Sequence, residues 1–275
     1  MATAHLRRSL LKLTAFAAFA AFAAFSSGSM PLAHAKNNAL KLGIMSGPEE
    51  DIARVAVDVA KSHGLNVELV TFSNYSLPNE ALASGDIYAN AFQTQPFLDA
   101  QIKARGYNII AVAPIWVEPL GFYSKKIKNI AELPEKARIA IPSDSSNQAR
   151  ALNLLAAHKL ITLSEAHSFL TSLADIKENP KKFQFIELDG AQLPRSLADV
   201  EMAAINTNYL IAANLDAHTA LIHEEVKDNP YINLIVVRKE DKDKPETKAL
   251  IKAFQSEKVK TYMLQTFKNA ILPAW

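Results

Sequence analysis

From residue 40 onward the chain alternates short apolar runs with amphipathic stretches of helical period, and near residue 138 the alternation starts again. Strands that each feed a helix build βαβ units, because parallel neighbours need a crossover between them. The runs at 40–44, 67–72, 86–91 and 108–113 read as strands, and the segments 49–63, 78–84 and 95–105 as helices. In the first helix Ile52, Val55, Ala56 and Val59 share one face, while Asp51, Arg54, Asp58 and Lys61 share the other. Pro48 sits at its start, where the missing N–H costs nothing. A mainly parallel sheet is expected.

The restart has a recognisable form. Arg138-Ile139-Ala140-Ile141-Pro142-Ser143-Asp144 echoes Lys41-Leu42-Gly43-Ile44-Met45-Ser46-Gly47, and Glu201-Met202-Ala203-Ala204 echoes Asp86-Ile87-Tyr88-Ala89. Each is a strand that leads into polar residues, so two α/β lobes of one architecture are inferred. The extended segments 118–123 and 231–236 bracket the second set and are expected to carry the chain between the lobes. Helices burying Leu250, Ile251, Phe254, Met263 and Phe267 would then return to the first lobe. The expected partition is a leader at 1–35, one lobe from 36–118 plus 233–275, and a second lobe from 119–232. In open α/β sheets ligands bind beyond the carboxyl ends of the strands, so binding residues are sought between two such edges.

The leader carries Arg7, Arg8 and Lys12, then the apolar run 13–25, then small residues ending Ala33-His34-Ala35. This reads as a secretory signal peptide cut after Ala35. The run falls short of the roughly 20 apolar residues that span a bilayer. Arg7-Arg8 also resembles a twin-arginine signal; an ordinary basic n-region is the plainer reading. Three basic and no acidic residues lie in the leader, so beyond it 27 Lys+Arg face 28 Asp+Glu and the formal charge of +2 becomes −1. Nucleic acid and anionic membrane surfaces are not favoured partners. Cysteine is absent, which removes disulfides, thiol catalysis and a lipidated cysteine together. An exported, unanchored, monomeric protein is expected.

Two polar clusters follow strands, one in each half. Phe92-Gln93-Thr94-Gln95-Pro96-Phe97-Leu98 places rings, amides and a hydroxyl together, and Asn147-Gln148-Ala149-Arg150 opens a helix that begins near Ser145 or Ser146. Arg150 lies one turn after Asn147, so both side chains share a face. A guanidinium fork matches a carboxylate bidentately, which makes a ligand carboxylate its natural guest; an ion pair with a protein acid is the competing reading. Tyr75, Phe92, Phe97, Trp116 and Tyr209 fall near element ends where rings can wall a pocket or fill a core. Asn206 and Asn208 follow a strand and read as cleft contacts or as caps. Glu118, beside the first crossing, reads either as a partner for a ligand ammonium or as a solvated acid. His63, His158, His167, His218 and His223 match no metal spacing, and no phosphate-binding glycine loop or nucleophile elbow is present. No cofactor and no catalysis are expected.

At these clusters the chain resembles the methionine-binding protein family of ABC importers, the NlpA lipoprotein family. The resemblance rests on Gly43-Ile44-Met45-Ser46-Gly47-Pro48-Glu49, Tyr75-Ser76-Leu77-Pro78-Asn79-Glu80-Ala81-Leu82, Ala89-Asn90-Ala91-Phe92-Gln93, Tyr123-Ser124-Lys125-Lys126-Ile127-Lys128, Asn147-Gln148-Ala149-Arg150-Ala151-Leu152 and Glu178-Asn179-Pro180-Lys181-Lys182, in family order. It implies a type II periplasmic-binding fold whose two lobes close on an amino acid for delivery to a membrane permease and its ATPase. By that resemblance Arg150 and Asn147 hold the ligand carboxylate, Asn206 and Asn233 complete the polar grip, and Tyr75, Phe92 and Phe97 wall the side chain. Thr94 stands where methionine binders usually place a histidine, and Phe97 where they place a tyrosine. The first departure implies a shifted selectivity that extends to a related amino acid, a small organic acid or a dipeptide. The missing lipobox cysteine implies a free periplasmic protein. An exported α/β enzyme remains the reading from another class.

Overall fold

The computed structural model describes residues 39–165 and 168–275, so the leader and its cut after Ala35 lie outside the described residues. The chain runs β1 (Leu40–Met45), α1 (Pro48–Ser62), β2 (Val67–Phe72), α2 (Pro78–Ser84), β3 (Ala89–Thr94), α3 (Gln95–Arg105) and β4 (Ile109–Val117). It then crosses to β5 (Gly121–Tyr123), β6 (Arg138–Pro142) and α4 (Ser145–Ala157), followed by a detached strand pair, β7 (Thr162–Leu163) and β8 (Ile176–Glu178). The same half continues with β9 (Gln184–Leu188), α5 (Leu193–Ser196), β10 (Met202–Ile205), α6 (Thr207–Ala212) and β11 (Ile222–His223). Last come β12 (Ile232–Arg238), α7 (Pro245–Phe254), α8 (Glu257–Phe267) and β13 (Leu272–Pro273).

Two sheets result, ordered β13-β4-β12-β3-β1-β2 and β11-β5-β10-β6-β9. Laid side by side, β1 corresponds to β6 and β3 to β10, the two pairs whose sequences echo each other. Apart from the short edge strand β13, which pairs antiparallel with β4, one strand in each sheet runs against its neighbours: β12 against β3 and β4 in the first, β5 against β10 and β11 in the second. Each of these strands has just arrived from the other sheet. This is the two-lobed periplasmic-binding arrangement, and the first sheet is mixed rather than mainly parallel.

Three sequence expectations shift. The strand placed at 86–91 begins at Ala89 and runs on through Thr94. All six of its residues are buried, so no alternation marks its end. The strand at 108–113 continues to Val117, past Pro114, because bulges in its pairing with β12 absorb a residue that cannot donate to the ladder. The crossings also differ from expectation: residues 121–123 and 232–236 belong to the sheets, so the first crossing shortens to 118–120 and the second lies earlier in the chain, at 224–231.

The first core packs α1, α7 and α8 on the sheet through Ile52, Ala53, Ala56, Leu250, Phe254, Met263 and Phe267. Val55 and Val59 are only half-buried at its margin, whereas the three alanines of α1 are buried within it. The second core gathers Ile139, Ile141, Leu152, Leu155, Met202 and Ala204 under α4. A third apolar cluster joins the lobes, setting Met45, Phe92 and Phe97 of the first against Tyr209, Leu210 and Ile205 of the second. The cleft between the lobes is therefore closed. Among the described residues no helix is long and apolar enough to cross a membrane, and no group of acids and histidines could hold a metal ion.

Candidate functional site

Strand ends from both lobes meet at one place. β3 finishes on Thr94, which caps α3; β4 is followed by Glu118; β6 leads into α4 with Asn147 and Arg150; and β10 leads to Asn206, which caps α6. Tyr75 comes from the loop after β2, and Asn233 of β12 stands opposite Thr94 in the antiparallel ladder. With Phe92, Phe97, Gln93 and Glu49, these residues line a narrow cleft with only about 20 Å³ of free volume, so the lobes are closed tightly upon it. The eight residues read from the sequence as ligand contacts, Tyr75, Phe92, Thr94, Phe97, Asn147, Arg150, Asn206 and Asn233, thus face one cavity.

One wall is aromatic. Tyr75, Phe92 and Phe97 stand with ring centroids 5.8 to 5.9 Å apart, two of the pairs edge to face. Tyr75 also stacks on Tyr209 of the second lobe at 4.8 Å, and its hydroxyl donates to the Asn208 side-chain oxygen at 2.7 Å. Gly190 leaves room for that ring, since a Cβ there would meet Tyr209 at 2.8 Å. Burial, aided by the charge of Tyr209, holds the Tyr75 phenol well above its usual range, so it acts as a neutral donor. Behind Phe92 and Thr94, Gln93 is locked in an amide cluster with Asn79 and Asn90 at 2.6 to 2.9 Å, which fixes the end of β3 against the start of α2. Trp116 is no wall: it is fully buried in the first core against Phe254.

The other wall is polar, and its amides have a forced orientation. Asp144 caps α4 and accepts from the Asn147 backbone at 2.9 Å and from its side-chain nitrogen at 3.1 Å. Asn147 must then turn its oxygen away, where it accepts from the Asn206 nitrogen at 2.9 Å. That leaves the Asn206 oxygen without a donor, although the residue is only 7% exposed.

Arg150 departs from its expected role. Its Nε and Nη2 donate to the two carboxylate oxygens of Glu224 at 2.6 Å each, and Nη2 also donates to the Glu118 carbonyl at 2.6 Å. Tyr231 lies under the guanidinium at 4.3 Å. Glu224 in turn accepts from the Leu120 backbone N–H at 2.9 Å. The fork that the sequence offered to a ligand carboxylate is thus engaged by a protein acid, and the pair ties α4 to both crossing segments. Nη1 makes no hydrogen bond to the described residues and is the donor left over. Burial works against the charge of Arg150, but Glu224 outweighs it and the guanidinium stays firmly protonated.

Two further acids lie deep in the cleft, Glu49 at 1% and Glu118 at 5% exposure. Burial pushes Glu118 up to about 7 against a smaller opposing effect of Arg150; burial and then the charge of Glu118 push Glu49 well above the carboxylate range. One oxygen of each has no partner, as is the case for the Asn206 oxygen on the same cleft. Unsatisfied buried polar atoms each cost on the order of 1–3 kcal/mol, so their gathering around one cleft points to a guest.

Glu49, Gln93 and Glu224 were missed as site residues. Glu49 was legible: it leads Ile52, Ala53, Ala56 and Ala60 by three, four, seven and eleven positions, an acid on the apolar stripe of α1. Glu224 carries no comparable signal, since it sits in a connecting segment.

The NlpA lipoprotein family model matches residues 40–275. The D-methionine-binding lipoprotein MetQ of Salmonella typhi is 45% identical over 241 residues, covering 86% of this chain and 89% of that protein. A nutrient binding protein from Burkholderia cenocepacia, solved bound to methionine, is 45% identical with a TM-score of 0.83, covering 86% of this chain and all of that one. The crystal structure of the methionine binding protein MetQ is 43% identical with a TM-score of 0.84, over 87% and 99% of the two chains. Agreement of this extent in sequence and in overall fold leads to one conclusion: the chain belongs to the NlpA lipoprotein family.

Proposed function

We propose that this protein is the periplasmic solute-binding component of an ABC importer, and that its lobes close over methionine or a closely related amino acid. The carrying observation is the cleft's division into an aromatic wall and a wall of unsatisfied polar atoms, which suits a zwitterion with an apolar side chain. The relatives named for methionine support the ligand class. Tyr75, Phe92 and Phe97 would enclose the side chain, Thr94 and Asn233 would border it, and Asn147, Asn206 and Arg150 Nη1 would meet the backbone end. The lobes are taken as 36–118 plus 233–275 and 119–232, hinged at the two crossings. A membrane permease with its ATPase would receive the ligand. Without a cysteine to lipidate, the protein would be released as a soluble monomer after cleavage behind Ala35.

Thermal unfolding with L- and D-methionine tests this reading. Ligand at a hundredfold above Kd adds about 2.7 kcal/mol and should raise Tm by about 5–10 °C. If no amino acid shifts Tm, the reading fails. N-terminal sequencing of the secreted form checks the leader, with Lys36 expected first.

A further inference from the structure

We propose that a groove beside the second crossing is a separate binding site, outside the cleft, which takes a small aromatic amine and couples to the cleft through Tyr231 and Arg150. The site itself does not depend on the amino-acid reading above; the coupling does.

The groove lies between α4 and residues 223–231, with Phe169 at its edge. It keeps about 380 Å³ of free volume, where the closed cleft keeps about 20 Å³, and that is an ordinary size for a small-molecule pocket. Leu154, Phe169, Pro230 and Tyr231 give it an apolar lining. Phe169 and Tyr231 meet edge to face at 5.7 Å and 90°, which forms a corner that a third ring can enter. Phe169 and its neighbour Leu170 are 45% and 71% exposed. Contiguous apolar side chains left in water mark an interaction surface.

Charge selects the guest. Arg150 and Glu224 are committed to each other, so the free charges on the walls are Glu225 and Asp228 against Lys227, a net of one negative. None of these three forms an ion pair with the described residues. The side-chain oxygen of Asn153, another lining residue, is buried without a donor among the described residues, while its nitrogen donates to the Ser168 carbonyl at 2.8 Å. A primary ammonium brings three donors and a positive charge, and a carboxylate brings neither. Rings, an excess of acid and an open acceptor together suit an aromatic amine.

Arg150 lines the groove and the cleft alike. Its guanidinium lies 4.3 Å from the centre of the Tyr231 ring, and Tyr231 is the last residue before β12 enters the first sheet. A guest packed on Tyr231 would hold that ring against Arg150 and steady the guanidinium at the cleft. Such coupling is reciprocal, so amine and cleft ligand must raise each other's affinity by one factor.

The probe is 2-phenylethylamine, titrated by ligand-observed NMR near neutral pH with the cleft first empty and then saturated with L-methionine; 3-phenylpropanoate is its acidic counterpart. The amine should bind in both states, about fivefold more tightly with methionine present and about tenfold more tightly than the acid. Phe169→Ala should weaken the amine by about fivefold or more. The same variant should leave methionine affinity, measured without amine, within about twofold of wild type. Glu225→Gln combined with Asp228→Asn should remove the preference for amine over acid. All three positions are exposed and lie outside the cores, so folding is not at stake. Displacement of the amine by methionine would place it in the cleft and overturn the site, as would equal binding of the acid or a Phe169→Ala protein that binds like wild type. Equal amine affinity with and without methionine would overturn the coupling. If methionine does not bind at all, the amino-acid reading fails, while the amine, the acid and the variants still decide the groove.

Discussion

Arg150 touches the cleft and both crossing segments at once, so its loss has two effects that must be measured apart. Arg150→Ala strands the Glu224 carboxylate and the Glu118 carbonyl in a buried place, and breaking such a pair typically costs about 3–5 kcal/mol. Arg150→Ala is therefore expected to lose both affinity and stability. Chemical unfolding beside calorimetry checks it, and unchanged stability would contradict the Glu224 pairing. Glu118 carries a pH signature. Its carboxyl is raised from 4.5 to about 7 in the folded protein, chiefly by burial. A raised carboxyl contributes stability that is complete below the unfolded value and lost as pH climbs through the folded one. The ligand-free protein should therefore lose stability between about pH 5 and pH 8, and Glu49, also raised, acts in the same direction. Glu118→Gln should match wild type near pH 5 and exceed it by about 1–3 kcal/mol at pH 8. Equal pH profiles would remove the claim. At Thr94 the hydroxyl makes no cap bond. An imidazole in its place would fill space beside Asn233 and add a donor, so Thr94→His should narrow a thermal-shift panel of amino acids towards methionine; an unchanged panel would mean that Thr94 does not set selectivity.

At the scale of elements, the turn between β1 and α1 shows how backbone geometry serves closure. Gly47 has φ +100, and a Cβ there would come within 3.1 Å of the Ala212 Cβ on α6 of the other lobe. Gly47→Ala combines strain of about 1–3 kcal/mol with a collision across the cleft. Affinity should fall by about tenfold, and more than stability alone explains; calorimetry with unfolding data separates the two. Legibility follows the same physics. Helices α2 and α3 were readable to the residue because proline opens each and glycine follows each, at Pro78, Gly85, Pro96 and Gly106. Strands β3 and β4 were misplaced by up to four residues, since full burial erases the period of two in one and a bulge interrupts it in the other. The placing of Asn147, Asn206 and Tyr75 around one cavity could be anticipated because each sits where a strand ends or shortly after it. The engagement of Arg150 by Glu224 could not, because 74 residues separate them and no local pattern links them.

Taken whole, the molecule is two sheets that exchange a strand. β1, β2 and β3 pair among themselves within the first 94 residues, but β4 has only β12 and β13 as partners. Hydrogen exchange during refolding should therefore protect β1 and β2 before β4, and protect β4 together with β12; simultaneous protection of all four would argue against this order. The same wiring bears on biosynthesis. Until residues 232–238 have been made, β3 and β4 stand apart by two strand spacings, roughly 10 Å, with bare backbone groups facing the gap. A chain emerging from the ribosome cannot finish its first lobe while the second is still being synthesised. Late closure of this kind leaves the nascent protein threadable through a narrow channel for most of its length, and fully folded only once the whole of it has come through.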